Sequence, residues 1–271
     1  MSQADAIRVA IAGAAGRMGR ALIEAALADP LLTFSAALEM PGHPALGRDA
    51  GEAMGLSTGV LLESDIESVL EKSDCLIDFT RPAATLASLA HVRRMGKAMV
   101  IGTTGFSAEE KQQIADAATD VAVVFAPNMA VGVNALFKLA SVAASILGDE
   151  FDVEIIEAHH RHKVDAPSGT ALRLGEAVAQ ALGRDLASVA VHGREGVTGE
   201  RDRMSIGFHA IRGGDIVGEH TVLFAGLGER VELSVRSSSR LTYAQGAMRA
   251  VKFATSQPPG LYDMQDVLGL H

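Results

Sequence analysis

Between Glu154 and Thr170 the chain gathers His159, His160, Arg161, His162 and Lys163, then Pro167, Ser168, Gly169 and Thr170. Histidine titrates nearest neutrality of all side chains, so it can give or take a proton at physiological pH. A neighbouring ammonium such as Lys163 can donate a second proton or hold negative charge. Residues 153–157 intersperse charged side chains among apolar ones in the manner of a half-buried strand. Pro167, Ser168 and Gly169 break that strand, and residues 170–182 carry a helical pattern. The cations therefore occupy a loop between a strand end and a helix start, whose free backbone N–H groups at residues 168–170 favour an anion. A solvated basic turn would have no need of that helix start. The combination points to a site for a carboxylate-bearing substrate.

A second chemical signal lies near the N-terminus. Residues 7–12 form an apolar strand, Gly13-Ala14-Ala15-Gly16-Arg17-Met18-Gly19 follows at once, and residues 20–27 are helical until Asp29-Pro30. Strand, glycine turn and helix are the context of a dinucleotide site, with the pyrophosphate on the helix N-terminus. The spacing is G-x-x-G-x-x-G rather than G-x-G-x-x-G, and tight packing alone can demand such a turn. Glu39 supplies an independent match. It ends a second strand, residues 33–38, at the distance where an acidic residue accepts hydrogen bonds from the adenosine ribose.

These residues need a scaffold, and the first half of the chain supplies one. A glycine-rich loop over 42–59 leads to a short helix at 66–70 and a buried strand at 75–80. A helix over 83–96, a strand at 98–101, a Ser107-capped helix over 108–118 and a strand at 121–125 follow. This βαβ repetition predicts a parallel sheet with right-handed crossovers. Thr80, the turn at 102–105 and residues 126–128 fall at strand ends, where a nicotinamide ring would be held. From Val131 the alternation stops. A long apolar helix spans 132–147, and strand-like runs at 188–192, 204–210, 216–225 and 230–237 are joined by glycine turns. They suggest a mostly antiparallel sheet with helices on one face. A last helix, about 243–256, precedes Pro258-Pro259-Gly260 and a short tail.

The expected fold class is α/β: an N-terminal Rossmann-like parallel sheet plus a C-terminal α+β domain. Residues 1–130 form the dinucleotide-binding domain, with 241–271 packing back onto it, and 131–240 form a substrate-binding and oligomerisation domain.

Composition narrows the function classes. The net charge is −9 with no long basic run, which argues against nucleic acid and anionic membrane as partners. Cys75 is the only cysteine, so no internal disulfide or thiolate metal cluster can form. A core with no Trp and 4% aromatic residues must be aliphatic. No secretory pattern opens the chain, and no segment reads as apolar enough to span a bilayer, so a soluble, cytoplasmic protein is expected.

Beyond these patterns, the glycine turn, Asp78-Phe79-Thr80-Arg81-Pro82, Gly102-Thr103-Thr104-Gly105-Phe106 and the stretch from Glu157 to Thr170 resemble the 4-hydroxy-tetrahydrodipicolinate (dihydrodipicolinate) reductase family. The resemblance continues through Arg194-Glu195-Gly196, Gly214-Asp215-Ile216-Val217-Gly218-Glu219-His220 and Ser238-Ser239-Arg240. It implies NAD(P)H-dependent reduction of a cyclic dicarboxylate in the diaminopimelate route to lysine, by a homotetramer. By position, His159 is the expected general acid and Lys163 the second proton donor or charge stabiliser. His160, Gly169 and Thr170 are expected to bind substrate. Gly13, Ala14, Ala15, Gly16, Arg17, Met18, Glu39, Gly102, Thr103, Thr104, Ala126, Pro127, Asn128 and Met129 are expected to contact NADH or NADPH. Met40 stands where many members carry arginine, which leans the preference toward NADH.

Two other classes compete. A metal-dependent hydrolase would use His159, His160 and His162, but adjacent and alternate positions on an extended segment point to opposite faces and converge poorly. No resident metal is expected. A dinucleotide-binding redox sensor without catalysis would keep the glycine turn and Glu39, yet have no use for the His–Lys loop.

Overall fold

The computed structural model describes residues 6–270. Residues 1–5 and 271, which the reading of the N-terminus and the domain limits include, lie outside the described residues. The chain divides into two compact units, one comprising residues up to Val131 with Arg240–Gly269, the other Gly132–Ser239.

In the first unit, strands β1 (Ile7–Ala12), β2 (Leu32–Leu38), β3 (Leu62–Glu63), β4 (Cys75–Asp78), β5 (Ala98–Ile101), β6 (Ala122–Phe125) and β12 (Gly260–Tyr262) form one sheet. Its order is β3-β2-β1-β4-β5-β6-β12, and every pairing is parallel. Helices α1 (Arg17–Ala28), α2 (Ile66–Glu71), α3 (Pro82–Met95), α4 (Ala108–Ala117), α8 (Leu241–Ala254) and α9 (Met264–Leu268) accompany it. Successive residues of one strand feed two cores. Val9 and Ile11 join Ile77, Val100, Leu22 of α1 and Val251 of α8, while Ala10 and Ala12 join Leu76, Ile101, Leu89 of α3 and Ile114 of α4. A sheet covered on both faces reads as unbroken apolar runs, which is why β1, β4 and β5 stood out in the sequence.

Local signals set the helix ends. Ser107 and Glu110 form a reciprocal capping box on α4. Pro82 opens α3, and Gly96 closes it at φ 64°. Helix α1 starts at Arg17, three residues earlier than the pattern predicts, so the glycine turn leads straight into it.

The second unit holds α5 (Val131–Leu147, whose first residue belongs to the first unit), β7 (Asp152–His159), α6 (Gly169–Ala181), α7 (Leu186–Val189), β8 (Ala190–His192), β9 (Ile206–Arg212), β10 (Gly218–Ala225) and β11 (Arg230–Ser237). Their sheet order is β11-β10-β7-β9-β8. Contrary to the mostly antiparallel expectation, the sheet is mixed: β10 runs antiparallel to β11 and β7, whereas β7–β9 and β8–β9 are parallel. Only β10 and β11 form a hairpin. The α6–α7 crossover lets the chain return in the same direction, and β7 inserts between β9 and β10.

Three further differences concern short or apolar segments. The glycine-rich loop carries a 3-10 turn at Glu52–Met54, and the Asp49 carboxylate gathers the N–H groups of Gly51, Thr58 and Gly59. The tail after Pro259 is structured as β12 and α9. By length and composition the Val131–Glu150 segment would suffice to cross a membrane, which corrects the expectation that none would. Its apolar residues do double duty, with Val133, Leu136, Phe137, Ala140 and Ala144 buried in the fold.

Candidate functional site

The first unit carries a cleft of about 750 Å³ at the carboxyl ends of β1, β2 and β4. Strand order reverses between β1 and β4, and such a switch point is where open α/β sheets bind ligands. Gly13, Ala15, Gly16, Glu39, Met40, Asp78, Phe79, Thr80 and Arg81 are among its lining residues. Gly13 adopts φ 65°, and a Cβ there would stand 2.9 Å from Thr80 Cγ2. At Gly19 a Cβ would lie 2.3 Å from the Gly13 carbonyl oxygen, so α1 meets the turn at a distance only glycine allows. Glu39 receives the Ala15 N–H on Oε2 at 3.2 Å and the Met40 N–H on Oε1 at 2.9 Å. A bare backbone facing a helix N-terminus, with a carboxylate at the next strand end, fits a dinucleotide's pyrophosphate and ribose.

The other expected cofactor residues are placed unevenly. Arg17 and Thr104 are exposed, and Met18, Gly102 and Asn128 are half-buried. Ala14, Ala126 and Met129 are buried in the core, so these three can offer a ligand little more than backbone. Pro127 is exposed. Thr103 is turned inward: its hydroxyl, with those of Thr80 and Thr85, lies within 3.1 Å of Asp78 Oδ1. Asp78 thus ties the end of β4, the first turn of α3 and the turn after β5 together, a role the sequence pattern left unassigned. Its other oxygen, Oδ2, has no hydrogen-bond partner among the described residues.

In the second unit the strand β7 delivers His159 at its last position. Its neighbours on the same strand face are Val153, Ile155 and Glu157, all buried. Glu157 is 1% exposed, and both its oxygens are bonded. Oε2 contacts His159 Nδ1 at 2.6 Å and Arg212 Nη1 at 2.8 Å; Oε1 receives Arg212 Nη2 at 2.7 Å and the Ser168 N–H at 3.1 Å. Burial alone would raise the Glu157 pKa, but Arg212 and His159 outweigh it and hold the carboxyl below its usual range. Burial, the larger influence, lowers the His159 pKa against the opposing pull of Glu157.

Helix α6 begins beside this pair. Ser168 caps it, accepting the Ala171 N–H at 3.2 Å, and its hydroxyl also lies 3.1 Å from His220 Nε2. The His159 and His220 rings meet edge to face at 5.1 Å. Burial, reinforced by His159, pushes His220 down to about 4. Gly169 opens the helix with nothing within 4 Å of where a Cβ would stand, leaving room for a ligand oxygen. Lys163 pairs with Asp165 at 2.9 Å, and its N–H reaches the His160 carbonyl at 3.1 Å. The His160 ring is half-buried, with no hydrogen-bond partner for Nδ1 among the described residues. Thr170 follows Gly169 in the first turn of α6. A histidine able to exchange a proton, an ion-paired ammonium and an anion-ready helix start are thus assembled within one unit.

Glu157, Arg212 and His220 are the members that the sequence pattern missed. One signal was available: Ile155-Ile156-Glu157 breaks the alternation of β7 and puts a carboxylate on its apolar face. Arg212 and His220 carry none, because only sheet register sets them opposite His159 and Glu157 respectively.

A doubly wound parallel sheet with a glycine turn and a strand-end carboxylate at its switch point marks a nicotinamide-dinucleotide oxidoreductase. Residues 7–129 match the family description "Dihydrodipicolinate reductase, N-terminus", and residues 132–268 match "Dihydrodipicolinate reductase, C-terminus". The chain belongs to the dihydrodipicolinate reductase family. A 4-hydroxy-tetrahydrodipicolinate reductase of Cupriavidus metallidurans is 62% identical over 264 residues, covering 97% of this chain and all of the relative. One from Aromatoleum aromaticum is also 62% identical, covering 97% and 96% respectively. Among solved structures, a dipicolinate-bound dihydrodipicolinate reductase from Paenisporosarcina sp. TG-14 superposes with a TM-score of 0.78 at 28% identity, covering 96% of this chain and 98% of that one. GenD2 from gentamicin A biosynthesis, in complex with NAD, shares the fold at a TM-score of 0.63 and 15% identity, covering all of this chain and 92% of that one.

Proposed function

We propose that this chain reduces 4-hydroxy-tetrahydrodipicolinate, by way of dihydrodipicolinate, to tetrahydrodipicolinate, using NADH or NADPH in the diaminopimelate route to lysine. The observation that carries the reading is His159, anchored by Glu157 beside the start of α6. A cyclic dicarboxylate needs both a proton donor and an anion site. The dinucleotide would be held by Gly13, Ala14, Ala15, Gly16, Arg17 and Met18 at the turn, by Glu39 at the ribose, and by Gly102, Thr103, Thr104, Ala126, Pro127, Asn128 and Met129 at the later strand ends. It supplies the hydride. Hydride addition to a conjugated imine leaves an electron-rich enamine carbon, and His159 delivers the proton that quenches it. Lys163 exchanges Asp165 for substrate, donating a second proton or balancing charge. His160, Gly169 and Thr170 bind a substrate carboxylate, with the α6 N-terminus adding its favourable dipole.

The same reading places the protein in the cytoplasm and makes it a homotetramer. Support for assembly comes from the sheet face away from α6, where Ile156 and Leu223 are half-buried and Ile211 is exposed, a surface suited to a second copy.

The test follows absorbance of NADH and of NADPH, with substrate generated in place by a synthase from pyruvate and aspartate semialdehyde. A His159→Gln, Lys163→Ala double variant is expected to lose at least ~100-fold in rate, the usual worth of positioned proton transfer, while still binding cofactor. The wild-type protein is expected to oxidise NADH faster than NADPH, because Met40 offers a 2′-phosphate no cation. Tight cofactor binding with no oxidation of either would favour the sensor reading.

A further inference from the structure

We propose that Glu157 is the positioning residue of the reductase, fixing through one carboxylate both the proton-bearing atom of His159 and the start of the substrate-binding helix α6. The inference rests on the reductase reading and adds to it a residue that acts through two others.

The assignment of protons follows from what each atom can do. Arg212 approaches both Glu157 oxygens through separate guanidinium nitrogens, at 2.7 and 2.8 Å. A carboxylate held ionised in this way can only accept. The 2.6 Å contact to His159 therefore requires the proton on Nδ1, which leaves Nε2 as the ring atom that exchanges a proton with substrate. On the other oxygen Glu157 accepts the Ser168 N–H. The Ser168 hydroxyl oxygen accepts from Ala171, and the hydroxyl also pairs with His220 Nε2 at 3.1 Å. His220 is neutral at physiological pH and takes that bond without competing for the catalytic proton.

The groups facing His159 are Glu157 on its own strand, Arg212 on β9, His220 on β10, and Lys163 with its partner Asp165 on the following loop. Of these, Glu157 alone hydrogen-bonds both the histidine and the α6 start. Proton transfer demands that the substrate's carboxylate and the donor atom keep a fixed separation, and small misplacements are costly. A shared anchor removes one degree of freedom between them. Its charge also stabilises the imidazolium that forms when Nε2 is protonated.

Glu157→Gln tests this. An amide keeps the shape but has one acceptor oxygen, so its NH2 must face either Arg212 with His159 or Arg212 with Ser168. Activity that needs protonated His159 falls as pH rises through that residue's pKa, and removing the carboxylate's charge should move this fall down by about 1–3 pH units. We expect kcat at pH 7.5 to drop about 100-fold and the substrate KM to rise, with the NADH dissociation constant unchanged. Glu157→Asp should restore the wild-type pH profile with part of the rate. Nitrogen-15 NMR of the wild-type protein should show His159 protonated at Nδ1 above its pKa, a readout that needs neither activity nor a variant. A bare Nδ1, or a Glu157→Gln enzyme with the wild-type pH profile and KM, overturns the proposal. A wild-type protein that fails to reduce substrate overturns the reductase reading instead, and the ring tautomer still decides the role of Glu157.

Discussion

Replacing Glu154 with glutamine should destabilise the protein in a way that fades with acid. Glu154 lies on the face of β7 opposite Glu157 and His159, where its carboxylate receives Arg194 at 2.9 and 3.1 Å, Arg201 Nε at 2.9 Å and His209 Nε2 at 2.7 Å. Through these bonds it fastens the loop between β8 and β9. Arg201 continues the network to Asp152, the Val153 carbonyl and the Ser205 carbonyl. Burial would raise the carboxyl's pKa, but Arg194, Arg201 and His209 bring it from 4.5 down to about 2. A folded-state value below the unfolded one contributes stability that is complete above the unfolded pKa and disappears as pH falls through the folded one. A descent from 4.5 to about 2 corresponds to about 3 kcal/mol at pH 7 and about 1.5 kcal/mol at pH 3. Glutamine carries no charge at any pH, so the gap between wild-type protein and variant should roughly halve over that range. With no Trp and two Tyr in the chain, urea unfolding followed by far-UV circular dichroism at fixed protein concentration is the suitable assay. Comparing both proteins at each pH cancels the titration of every other carboxylate. A gap that stays constant from pH 7 to pH 3 would refute the reasoning.

Three further outcomes are expected. Gly19→Ala should cost about 1–3 kcal/mol as an overpacking change and weaken NADH binding, because the new methyl group meets the backbone of Gly13 and Ala14 rather than a side chain that can turn away; thermal melts and a fluorescence titration check it. Sedimentation equilibrium should return the mass of four chains. Changing exposed Ile211 to lysine should lower that mass while far-UV dichroism is retained.

Legibility differed between the units for a physical reason. Strands such as Cys75–Asp78 and Ala98–Ile101 are buried on both faces, so all their residues but the terminal Asp78 are apolar and the signal is local. The two-residue β3 and three-residue β12 are too short to show a period, and only their neighbours make them strands. The direction of β8 and β9 in the second sheet depends on where the chain returns after α7, which no local pattern encodes. At the site, His159, Lys163 and Gly169 were legible because they share one stretch. Arg212 and His220 act on residues distant in sequence, and only sheet register brings them to the site.

The first unit is assembled from both ends of the chain. Ala247 and Val251 of α8 complete the core that holds Val9 and Ile77, and β12 covers the edge of β6. At Gly246 a Cβ would fall 1.7 Å from the Met129 carbonyl oxygen, so the returning helix lies directly on the backbone that precedes α5. During synthesis, the early strands leave the ribosome with one apolar face bare and must wait until the second unit has been made. That unit's sheet and helices all lie within residues 131–239 and so precede α8 in the chain. Closing so long a loop adds little to the equilibrium cost, which grows only with the logarithm of its length, but it delays the step. The interval of exposed surface is when a nascent chain is most prone to mispair. Strand β1 is thus among the last to be sheathed although it precedes its partners, and α8 and α9 act as the lock on a domain begun at β1.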